Sequence, residues 1–204
     1  MTEVDLYWLP LGAGAHVVRI SGRMFEVLTA FRQRRPPRDL YHSALEVVTA
    51  DSRFTIEMNP IPDRRGASRG VVAEGVVGTR LLRRFRVFRY EIRRWRGGVI
   101  ADVAAAVHSP ARISVDPDVA QRILDLVPRV PLPVWGRDEM HAGEMWNSNS
   151  VTAWLLASAG IDLDAVELPS NGRAPGWDAG RVVAGRHVAA SAFVLPTFRA
   201  GPDC

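Results

Sequence analysis

Two runs of strand-forming residues, Asp39 to Thr49 and Arg53 to Asn59, are separated by only Ala50-Asp51-Ser52. Both are rich in Val, Ile, Leu, Phe and Thr, which suit a pleated, half-buried surface. A parallel pairing needs a crossover of a dozen or more residues, so a link this short folds the two runs into an antiparallel hairpin. Around it, Val4 to Leu11 reads as a further strand ended by Pro10 and Gly12, and His16 to Ile20 as a short one. Gly70 to Gly78 is a Val/Gly strand or loop, preceded by a polar Pro/Gly/Arg loop from Pro60 to Gly70.

The stretch Thr79 to Arg96 carries two conflicting patterns. Leu81, Phe85, Phe88, Ile92 and Trp95 fit a helical stripe, but so many aromatic and β-branched residues favour a strand. Composition decides for a strand over Phe85 to Trp95, with Gly97-Gly98 as the turn after it. Three segments are helical. Ser21 stands as an N-cap before Met24, Phe25, Leu28 and Phe31. Asp116-Pro117 supplies an N-cap and a first-turn proline before Ala120, Ile123, Leu124 and Val127. From Asn149 to Ala159, Val151, Trp154 and Leu155 form an apolar face, and Gly160 is the stop. Arg181 to Val194 is expected to add one or two short strands. Strands and helices segregate rather than alternate. The expected fold is α+β, a mostly antiparallel sheet packed against a few helices.

A chain of 204 residues supports one well-filled core, so residues 1–204 read as a single domain. The most apolar stretch, Val99 to Val107, is interrupted by Asp102, and no membrane span is expected. The first ten residues carry Glu3 and Asp5 and no basic region, unlike a secretory signal. The single cysteine is Cys204, which excludes an internal disulfide and a cysteine metal site and makes a cytoplasmic, reducing location the expectation. All 26 basic residues are arginine. Arg, Ala, Gly, Val and Pro share GC-rich codons, so a GC-rich genome explains arginine in place of lysine. A net charge of +4 is modest for this length and does not by itself indicate nucleic acid.

Several familiar sites are absent. No G-x-S-x-G elbow exists, and without lysine there is no P-loop. Gly12-Ala13-Gly14 lacks the third glycine of a dinucleotide fingerprint. His16, His42, His108, His141 and His187 show no paired spacing, so neither a metal nor a cofactor is expected.

Two segments could carry chemistry. Leu40-Tyr41-His42-Ser43-Ala44-Leu45 places His42 at the start of a strand, with Glu57 and Asn59 on the strand expected beside it. Trp146-Asn147-Ser148-Asn149-Ser150-Val151 places Ser148 at a helix start, where unpaired N–H groups and the helix dipole favour developing negative charge. A nucleophile, a histidine and a polar orienting residue would make a triad. Trp135 and Trp146 flank the helix start as pocket candidates, together with Asn147 and Asn149.

The order resembles the circularly permuted branch of the papain-like fold, the NlpC/P60 group with its lecithin:retinol acyltransferase-like and PPPDE-like families. His42-Ser43-Ala44-Leu45 matches the H-x-x-[IL] strand opening. Asn147-Ser148-Asn149-Ser150-Val151 matches N-C-x-x-[FV] except at the nucleophile, where serine replaces cysteine. The likeness covers roughly residues 40–160. It implies a papain-like arrangement and a hydrolase or acyl-transfer activity on an amide or ester. Ser148 would be the nucleophile, His42 the base, and Glu57 or Asn59 the orienting group.

Serine is far less acidic than cysteine and needs concerted proton removal. The replacement therefore fits either a working serine variant or a protein that has lost chemistry and binds a small molecule or peptide. Asn147, Ser148, Asn149 and Ser150 are also all good N-cap residues, so the cluster could simply start a helix. An arginine-rich nucleic-acid surface over Arg80 to Arg96 ranks last, because a strand sends alternate residues to opposite faces.

Overall fold

The computed structural model describes residues 1–11, 26, 30–31, 34–61, 70–100 and 102–192. The strands are β1 (Glu3–Pro10), β2 (Asp39–Val48), β3 (Arg53–Pro60), β4 (Val71–Val76), β5 (Arg89–Arg96) and β6 (Val107–Ser114). They lie in the order β4-β5-β3-β2-β1-β6, each neighbouring pair antiparallel. A two-residue β7 (Gly172–Arg173) pairs in parallel with the start of β2. The helices are α1 (Pro117–Leu126), α2 (Ser148–Ser158) and α3 (Trp177–Ala192). The expected α+β class with a mostly antiparallel sheet is what the chain adopts.

The hairpin forms with Leu45 opposite Ile56 and Val48 opposite Arg53, and the Thr49 N–H closes its turn on the Ser52 carbonyl at 2.7 Å. Strand alternation then divides the sheet into two faces. Val4, Leu6 and Trp8 of β1, Tyr41, Leu45 and Val47 of β2, and Ile56 and Met58 of β3 share the main core with α1 and α2. Tyr7, Leu9 and Ala44 point the other way and pack with Ile100 and Ala106. Among the described residues, Asp5, Glu57, Glu91 and Arg93 are charged residues buried on this second face.

The helices form for the reasons their sequences suggest. Asp116 caps α1 by accepting from the Asp118 N–H, Pro117 opens it, and Val119, Ala120, Ile123 and Leu124 are buried. Helix α2 is buried along most of its length, which explains its nearly all-apolar run from Val151 to Leu156.

Two expectations on local structure are corrected, and one strand is new. The strand expected over Phe85 to Trp95 begins at Arg89; Arg80–Leu82 and Arg86–Phe88 are single 3-10 turns before it. Where strands were expected over Arg181 to Val194, the described residues as far as Ala192 are instead the body of α3. Ala179, Gly180, Val183 and Ala184 are buried along one helical stripe, and this packing overrides the β preference of Val182-Val183. A Cβ on Gly180 would lie 2.2 Å from the Ser150 carbonyl oxygen, so glycine is what lets α3 approach α2. Strand β6 was not anticipated, since Pro110 and a half-exposed pattern disguise an edge strand. His16 to Ile20, Gly12-Ala13-Gly14, most of the Ser21-led helix and most of the loop from Pro60 to Gly70 lie outside the described residues. Among the described residues no helix is long and apolar enough to cross a membrane.

Candidate functional site at the start of helix α2

Asn147 is the N-cap of α2. Its Oδ1 accepts from the N–H groups of Asn149 at 2.9 Å and Ser150 at 3.3 Å. The Asn147 N–H in turn donates to Ser150 Oγ at 3.1 Å, which completes a capping box. Ser150 Oγ also donates to the Gly176 carbonyl at 2.7 Å, and Asn147 Nδ2 to the Pro175 carbonyl at 2.8 Å. The cap therefore fastens the loop before α3 to the start of α2.

Asn149 ties the same point to the sheet. Its Nδ2 donates to the carbonyls of Tyr41 and Pro175, both at 2.9 Å, and its Oδ1 accepts from Ser43 Oγ at 2.9 Å. Asn149 and Ser43 are each about 2 % exposed. A buried amide that uses both of its ends in this way holds a fixed orientation.

Ser148 sits between these two asparagines and plays no part in the cap. Its hydroxyl makes no hydrogen bond among the described residues, although the residue is only 6 % exposed. Of the four polar residues 147–150, it is the one whose side chain the helix start does not use.

The structure does not bring His42 to Ser148. Ser43 faces α2 together with Tyr41 and Leu45, so His42 lies with Leu9 and Ala44 on the opposite face of the sheet. No hydrogen bond joins His42 to Ser148, Glu57 or Asn59. Burial holds the imidazole down at about 4, against the opposing pull of the Asp102 carboxylate, so His42 is neutral at pH 7. Glu57 and Asn59 share the face of His42 and bond to each other, with Asn59 Nδ2 donating to Glu57 Oε2 at 3.0 Å. Arg93 lies 3.9 Å from Glu57 and is paired more closely with Glu91. Of the expected triad of Ser148, His42 and Glu57 or Asn59, the structure joins only Glu57 to Asn59, and strand alternation sets His42, Glu57 and Asn59 on the face of the sheet away from α2.

Trp146 and Trp135 do flank the helix start. Trp146 is buried, its indole Nε1 without a hydrogen-bond partner, and its carbonyl accepts from the Gly136 N–H at 2.9 Å. Trp135 is half-buried and meets Tyr90 edge-on with centroids 5.8 Å apart. Nearby, Glu144 accepts from the Gly176 N–H at 2.8 Å, and burial pushes its carboxyl above the usual range.

The sequence reading missed a second polar knot. Buried Glu26 accepts from the Arg38 N–H at 2.9 Å and from Arg173 Nη1 at 3.2 Å, and it pairs with Arg35. Burial opposes ionisation there, but the arginines and the N–H outweigh it and hold the carboxyl below its ordinary value. No local motif marks such a knot, because Glu26 and Arg173 are far apart in sequence. Among the described residues no group of His, Cys, Asp and Glu could hold a metal ion. No family model, no curated protein and no solved structure matches the chain.

Proposed function

We propose that the chain is a catalytically silent binding protein on a papain-like frame, with a small molecule or peptide as its partner. A helix opening on Asn147-Ser148 packs against the strand that carries His42, as the resemblance implies. The contact between them is displaced by one residue on each side: Asn149 meets Ser43, where a working site would join residue 148 to residue 42. The observation that carries the reading is the placement of Ser148 and His42 on opposite faces of the sheet. General-base catalysis needs the two within hydrogen-bond reach, directly or through one water.

A second reading, a serine hydrolase or acyl-transfer enzyme, draws on one observation. Asn147 and Ser150 do the capping, which leaves the Ser148 hydroxyl without a hydrogen bond among the described residues at the positive end of α2. A fluorophosphonate probe distinguishes the two. The binding protein leaves Ser148 unlabelled. Covalent labelling that vanishes in Ser148→Ala would overturn it in favour of the enzyme.

A further inference from the structure

The connection between β4 and β5 presents a basic and apolar tip with large apolar side chains exposed. From Gly75 to Tyr90 there is no acidic residue and there are five arginines. Arg80 is bonded to Glu139 through Nε at 3.0 Å and Nη2 at 2.8 Å, and Arg89 is paired with Glu74. Arg83, Arg84 and Arg86 are exposed and have no ion-pair partner among the described residues. Interleaved with them, Leu81 is 86 % exposed, Val87 67 %, Phe85 44 % and Phe88 37 %.

The tip is ordered by its base. The Gly78 N–H donates to the Trp135 carbonyl at 3.0 Å, Arg137 Nε donates to the Gly78 carbonyl at 2.8 Å, and the Val77 N–H reaches the Phe88 carbonyl at 2.8 Å. Thr79 caps the first 3-10 turn. Strand register also fixes where the tip lies. Tyr90 stands opposite Pro60 and Gly75, so the tip is at the end of the sheet where β3 finishes, β2 begins and α2 starts.

We propose that this tip docks on an anionic phospholipid surface. Guanidinium groups bind phosphate oxygens in pairs, and the three unpaired arginines supply that contact. Leu81 and Val87 distinguish this surface from a nucleic-acid one. A nucleic-acid tip gains from aromatic faces that stack on bases, whereas exposed leucine and valine gain only from leaving water for an apolar layer. Phe85 and Phe88 suit the headgroup boundary. Docking in this way points the start of α2 toward the bilayer. The proposal does not depend on whether Ser148 reacts.

The test is co-sedimentation of the full chain with phosphatidylcholine vesicles, with and without phosphatidylglycerol, across a salt series. Binding is expected only with the anionic lipid and is expected to weaken as salt rises. Each arginine near such a surface contributes about five-fold in affinity, so Arg83→Gln, Arg84→Gln and Arg86→Gln together should weaken binding about a hundred-fold. Leu81→Ser with Val87→Ser should weaken binding to the anionic vesicles at every salt concentration and leave its salt dependence unchanged. All five positions are exposed, and an unchanged melting curve confirms each variant as folded. No binding to anionic vesicles at low salt would overturn the proposal. So would tighter binding to single-stranded RNA that is indifferent to the Leu81 and Val87 changes.

Discussion

Ser43 Oγ donates to Asn149 Oδ1 at 2.9 Å, and this contact joins strand β2 to the start of helix α2. It fixes the side on which each neighbour lies. Because Ser43 points at the helix, His42 points away from it. Because Asn149 spends its amide on Tyr41, Pro175 and Ser43, the helix cannot turn Ser148 into that position without losing three bonds.

Replacing Asn149 with alanine takes the Asn149 partner from the Tyr41 carbonyl and the Ser43 hydroxyl, while the Pro175 carbonyl keeps Asn147 Nδ2. The expected loss is on the order of 2–4 kcal/mol, against about 1 kcal/mol for Ser43→Ala. A double-mutant cycle by urea unfolding should show a coupling of about 1 kcal/mol between the two. Additive effects would mean that the contact does not form.

The two candidate cap residues should separate cleanly. Asn147→Ala removes the acceptor of two helix N–H groups and should cost about 1–2 kcal/mol. Ser148→Ala removes a hydroxyl that bonds to nothing among the described residues and should stay within about 0.5 kcal/mol of wild type. Thermal melts of both variants decide this, and the reverse order would make Ser148 the cap.

His42 gives stability a pH dependence whose sign follows from its environment. The unfolded chain binds a proton on this imidazole near pH 6.5, while the folded one resists until about 4. Its contribution is intact above pH 6.5 and is lost as pH falls toward 4, by an amount on the order of 3 kcal/mol. In His42→Gln the fall in unfolding free energy across that window should be visibly shallower than in wild type. Identical slopes would place His42 in water.

Much of the architecture was legible. Ala50-Asp51-Ser52 is too short for anything but a hairpin turn, and Asp116-Pro117 and Asn147 are explicit helix starts. The sidedness of β2 was also written in the sequence, in the apolar Tyr41, Leu45 and Val47 set against the polar Glu46. That period of two places His42 with Glu46 and away from the core, a signal that outranks a four-residue resemblance. What could not be read depends on distant packing. Val182-Val183 carries a strand preference, and only the close approach of Gly180 to Ser150 makes the segment a helix. Glu26 with Arg173 has no local signature at all.

The most direct measurement of the sheet-divided site uses Ser148→Cys in a Cys204→Ala background. The rate of alkylation by iodoacetamide is followed against pH, with and without His42→Gln. The helix start alone can lower the thiol's pKa, so the value by itself decides nothing, and the comparison does. The expected result is a profile that His42→Gln leaves unchanged. A profile displaced upward by more than one pH unit when His42 is removed would show a histidine–thiolate pair across the site and would contradict the placement of these two residues on opposite faces of the sheet.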